Sequence, residues 1–134
     1  MRIKLIAVAA AAALLLTAAS ALAHHSFAAE YDAKKPVTLT GTVTKVEWMN
    51  PHIFFYVDVK DSDGKVTNWR NEGGNLSGLM RRGWRKDSLK VGDTVTIEGN
   101  LAKNGQPLVN ARTVTLADGK KLFAGSSGGD DYER

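Results

Sequence analysis

The chain has 134 residues, 18 Lys and Arg against 14 Asp and Glu, a formal charge of +4 and no cysteine. The missing thiols exclude a disulfide framework, a cysteine nucleophile and a thiolate zinc site. A hydrophobic share of 43% belongs to a chain that can build a core, and so small a charge excess does not argue for nucleic acid as a partner.

Residues 1–23 read as a secretory signal peptide. Arg2 and Lys4 give a basic start, Leu5 to Leu16 is an unbroken apolar run, and Ala21-Leu22-Ala23 is an A-x-A cleavage site. The stretch from Leu5 to Ala23 is alanine-rich, contains Thr17 and Ser20, and ends in a cleavable triplet, so it is expected to leave no stable membrane anchor. Cleavage after Ala23 leaves 111 residues with a formal charge of +2, because Arg2 and Lys4 depart with the leader. That is one domain, expected in the periplasm or secreted.

Residues 24–36 are expected as an N-terminal extended segment. A mainly β domain is expected over 37–123. In "VTLTGTV", Val37, Leu39, Gly41 and Val43 alternate with threonines at period two. The parity then slips to Val46 and Trp48, which predicts a β-bulge near Thr44-Lys45. In "HIFFYVDVK", Ile53, Phe55, Val57 and Val59 form one face, with His52, Phe54 and Tyr56 on the other. "DSDG" is a turn suited to positive φ at Gly64. It resembles half of a calcium loop but lacks the rest.

"KVTNWRN" is a third strand. A short helix follows, with Asn75 as N-cap, Leu76, Leu79 and Met80 at helical spacing, and Gly83 ending it. "LKVGDTVTIEGNL" and "PLVNARTVTL" are strands four and five, joined by the hairpin signal "KNGQ". "ADGKKLF" adds a turn and a short strand. Residues 124–134 are Gly/Ser-rich and acidic, a composition expected to be disordered. The order β-β-β-α-β-β predicts a five-stranded OB-like barrel with one short helix between strands three and four.

The segments "HHSFAAEYD", "VEWMNPH", "DVKDSDG", "NWRNEGG", "LMRRGW" and "LKVGDTVTIEG" together resemble a family of short exported bacterial proteins of unknown function. The resemblance covers nearly all of the processed chain. It implies a small OB-like barrel behind a signal peptide and implies no activity. The layout is also similar to periplasmic OB-fold proteins that bind small or cationic ligands, at the level of fold alone.

Two of the three histidines follow the cleavage site. Processing makes His24 a chain terminus whose α-amine and imidazole Nδ1 can chelate one metal ion. His25 or His52 can add a third nitrogen, a set that suits Cu(II) or a similar transition metal. Met49 offers a thioether to reduced copper, and Glu30, Asp32 and Glu47 are candidate carboxylate partners for the ligands. Cleavage after Leu22 would instead place His25 third, also a copper-chelating terminus. The structural alternatives are a solvated terminus and His52 as a strand cap.

A second candidate is a small-ligand or protein-interaction face of Phe54, Tyr56, Trp69 and Arg70, since OB-folds bind on the strand two–three face. The basic run "RRGWRK" is read as a solvated helix end. No G-x-S-x-G or H-E-x-x-H pattern is present, so a non-enzymatic binding protein is expected.

Overall fold

A computed structural model describes residues 27–125. The chain divides into two units, Met1–Glu30 and Tyr31–Arg134. The leader, His24 and His25 lie outside the described residues, as does 126–134. Of the first unit residues 27–30 are described, and they are helical.

The second unit is mainly β. Its elements are β1 (Tyr31–Glu47), β2 (Phe54–Lys60), β3 (Val66–Glu72), α1 (Leu76–Arg81), β4 (Thr94–Ala102), β5 (Leu108–Leu116) and β6 (Lys121–Phe123). The stretch 24–36, expected as a separate extended segment, is thus divided. Residues 27–30 are helical, and β1 begins at Tyr31 rather than at Val37.

The sheet order is β3-β2-β1-β4-β5-β6, antiparallel throughout except where β3 also pairs with β5 in parallel. That pairing joins Arg70–Glu72 to Leu108–Asn110. Each of the first five strands is therefore bonded to at least two others, β5 to three, in a ring that leaves few open edges.

β1 serves two partners. Its first half pairs with β4 and its second half with β2, and Thr42 faces Thr94 on one side and Asp58 on the other. The register shifts between Val43 and Lys45, the bulge that the parity slip predicts. Leu39 and Val43 point into the core before it, and Val46 packs against the core after it. Ile53, Phe55 and Val57 are fully buried, as their alternation requires.

α1 is short and well terminated. The Asn75 side chain accepts from the Gly78 N–H at 2.8 Å. At the other end Trp84 N–H donates to Leu79 O at 3.0 Å and Gly83 N–H to Met80 O at 3.2 Å, with Gly83 at φ 95°. This is the Schellman pattern, and its apolar contact is supplied by Leu79 and Trp84, both in the core. Met80, expected beside them, is exposed.

The short strand β6 buries Leu122 and Ala124 follows it into the core. Ala124 N–H donates to Arg112 O at 2.7 Å, and Gly125 O accepts from Arg82 at 2.9 Å. The chain stays bonded to the fold past residue 123.

Candidate functional site

β2 is preceded by the loop "WMNPHI". Its Asn50–Pro51 peptide is cis, and Asn50 Oδ1 accepts from the Leu76 N–H at 3.0 Å. Ile53 is buried. Its N–H donates to Gly74 O at 3.0 Å and its carbonyl accepts from Gly73 N–H at 2.9 Å. A Cβ at Gly73 would stand 2.7 Å from the Ile53 side chain. The glycine pair in "NEGG" therefore lets the end of β3 lie directly against the residue after His52.

That contact brings His52 to Glu72. His52 Nδ1 is hydrogen-bonded to Glu72 Oε1, and the other carboxylate oxygen, Oε2, accepts from the Tyr31 hydroxyl. The three side chains come from the start of β1, the loop before β2 and the end of β3. Glu72 is 9% exposed and Tyr31 3%. The His52 side chain is 39% exposed, so the ring spans the boundary between the buried carboxylate and solvent. An ionised carboxylate only accepts, so in that form Glu72 takes a hydrogen bond donated by His52 Nδ1. A buried carboxylate needs such partners, since burying it unpaired would be costly.

Sequence reasoning names His52 but not Glu72 or Tyr31. By period two, Glu72 shares a face with Val66, Asn68 and Arg70, all exposed, and so reads as a solvent residue. The signal that could have found it is the pair of glycines that follows. Of the carboxylates that the sequence favours, Glu47 is held by Lys45 at 2.6 Å, Asp32 lies 4.0 Å from Lys35, and Glu30 is exposed. Met49 is 51% exposed in the loop, three residues before His52. Among the described residues no three His, Cys, Asp or Glu side chains gather as a metal-holding group.

The expected aromatic face is split by the strand register. Tyr56 lies opposite Arg70, and Val57 opposite Trp69. Directly paired residues share a face, so Trp69 sits on the inner side, packed against the core. Phe54, Tyr56 and Arg70 remain outside. The Arg70 guanidinium lies 3.8 Å from the Phe54 ring centroid, and Lys45 joins them, 5.3 Å over Tyr56.

The hydrogen bond from Lys45 to Glu47 holds the lysine above its ordinary pKa and the carboxyl below its own. The pair therefore favours the fold above the ordinary pKa of a glutamate, and that contribution fades as pH falls through the depressed Glu47 value. On the alkaline side it is lost as pH rises through the raised Lys45 value. Glu47→Gln is expected to bring the Lys45 pKa down, read by an NMR titration of its side chain. An unchanged Lys45 titration would contradict the pairing.

The basic run is largely used by the fold. Arg82 reaches Gly125 O and lies 4.5 Å over the Phe123 ring, while Arg85 donates to Trp84 O at 2.8 Å and to Met80 O at 3.3 Å. No helix among the described residues is long and apolar enough to cross a membrane.

No curated protein matches the chain. A family model described as a family of unknown function, DUF6152, matches residues 11–110, a span that includes Tyr31, His52 and Glu72. With most of its length so covered, the chain belongs to this family of unknown function.

Proposed function

We propose that the protein is an exported, non-enzymatic binding protein built on an OB-like barrel, and that it takes up copper or a similar transition metal through histidine. The barrel reading is supported by the ring of five strands with a helix between the third and fourth. Export to the periplasm or beyond rests on the leader pattern of residues 1–23.

The observation that carries the metal reading is the Glu72–His52 hydrogen bond. A histidine that ligates a metal nearly always donates its other ring N–H to a carboxylate or carbonyl, which orients the ring and raises the basicity of the ligating nitrogen. The other two nitrogens of this proposal are the amine and imidazole of His24 at the processed terminus, with His25 as the alternative to His52 for the third. Met49 is the thioether that a reduced copper ion would favour.

The test is a competition titration of the processed protein with Cu(II) and Zn(II). Copper is expected to bind with a dissociation constant well below about 10 μM. His52→Ala and an added N-terminal residue are each expected to weaken it by about tenfold or more. Wild-type protein that binds neither ion in that range would overturn the reading.

A second reading, a small-ligand or protein-interaction module, is favoured by the Arg70–Phe54 stack beside Tyr56. Under it, Tyr56→Ala and Arg70→Ala would lose binding and the N-terminal extension would not.

A further inference from the structure

We infer that Glu72, backed by Tyr31, is a positioning residue that locks His52 in the Nδ1–H tautomer and so makes Nε2 the nitrogen it offers to a ligand. The ligand in question is the transition metal ion, and to that extent the inference rests on the reading above. The tautomer itself does not.

A neutral imidazole is free to carry its proton on either nitrogen. The choice is made by the partner at one of them. Here that partner is a carboxylate, with both oxygens engaged: Oε1 by His52 and Oε2 by Tyr31. Two such bonds to an ionised acceptor are the stronger kind, and they leave Glu72 as an orienting group rather than a metal ligand.

The carboxylate has little freedom to move. The Glu72 backbone is paired on both sides, with Phe54 of β2 and with Asn110 of β5. The Tyr31 ring is buried and its backbone pairs with Ala102. His52 is held in turn by the buried Ile53 that follows it. The ring is therefore fixed from three separate parts of the fold. In the neutral ring so oriented, Nε2 carries the lone pair, which is the state a metal requires of imidazole.

The experiment uses processed, metal-free, 15N-labelled protein at alkaline pH. Long-range 1H–15N spectra distinguish protonated from bare ring nitrogens, and His52 is assigned by the signals that vanish in His52→Ala. The wild-type ring is expected to carry its proton on Nδ1. Glu72→Ala is expected to shift the proton to Nε2 or to a mixture, with Cu(II) affinity down by about 10–100-fold. Glu72→Gln can turn either its carbonyl or its NH2 to Nδ1 and is expected to relax the ring to a mixture of tautomers. Tyr31→Phe, which leaves Oε1 in place, is expected to keep the wild-type tautomer with a smaller loss of affinity.

A wild-type ring protonated on Nε2 would overturn the inference, as would Glu72→Ala leaving the proton on Nδ1. Should Glu72→Ala fail to fold, the wild-type spectrum and the Glu72→Gln variant still decide it. The two readings fail separately. The expected tautomer without copper binding would remove the metal reading and keep the positioning role. Copper binding with Nε2 protonated in the metal-free protein would do the reverse.

Discussion

Trp84→Ala is expected to lower the stability of the fold by about 3–5 kcal/mol, the range for emptying a buried aromatic site. Trp84 is the largest fully buried side chain among the described residues and is 1% exposed. Its indole N–H donates to Phe123 O at 2.8 Å, tying the segment after α1 to β6. Its backbone N–H closes the end of α1 on Leu79 O. Truncation leaves a cavity beside Leu79 and strips a donor from the Phe123 carbonyl.

A domain of this size has about 5–15 kcal/mol in all, so the variant sits near the edge of folding. Urea unfolding should show the midpoint falling with little change in slope. Trp84→Phe keeps most of the ring and should lose less. Met80→Ala, at an exposed site four residues earlier, should stay within about 0.5 kcal/mol of wild type. Equal midpoints for Trp84→Ala and Met80→Ala would contradict the assigned burial.

Gly41→Ala is expected to destabilise by about 1–3 kcal/mol or more, the cost of overpacking where relief is poor. A Cβ at Gly41 would stand 2.1 Å from the Asp58 carbonyl oxygen and 2.9 Å from Val57 Cγ1. The obstacle is backbone of the neighbouring strand, so no side chain can swing aside. Either β1 and β2 part or the strand bends further. Gly83→Ala is the useful contrast. Its φ of 95° disfavours a side chain, yet nothing lies within 4 Å of the added Cβ. That variant meets only the conformational cost, about 1–2 kcal/mol. Chemical denaturation of the two should rank Gly41→Ala as the more damaging, with amide exchange accelerated at Val57 and Asp58. A Gly41→Ala protein as stable as wild type would show that the strands are not so close.

Much of this fold is legible in local pattern. Period two marks β1, β2, β4 and β5, and the slip from Val43 to Val46 marks the bulge. Asn75 and Gly83 bound the helix because a cap and a left-handed residue are local needs. The faces of β3 are different. Val66, Asn68 and Arg70 alternate with Thr67, Trp69 and Asn71, and neither set is clearly apolar. The pairing with β2 decides, and it turns Trp69 inward.

The site divides in the same way. His52 stands out because histidine is rare in this chain and its chemistry is distinctive. Glu72 does not, since its phase on β3 is the exposed one. Tyr31 does not, since it precedes the regular alternation.

What the sequence determined by itself is the class of fold, the run of elements and the presence of a histidine ahead of β2. These follow from interactions over a few residues, where spacing alone says which side a residue faces. What only the tertiary structure decided is the closure of the ring by β3 on β5, the burial of Glu72, and its meeting with Tyr31 and His52. Those partners lie 41 and 20 residues away. A carboxylate becomes buried and paired there only because strands distant in sequence share one register, which no local pattern encodes.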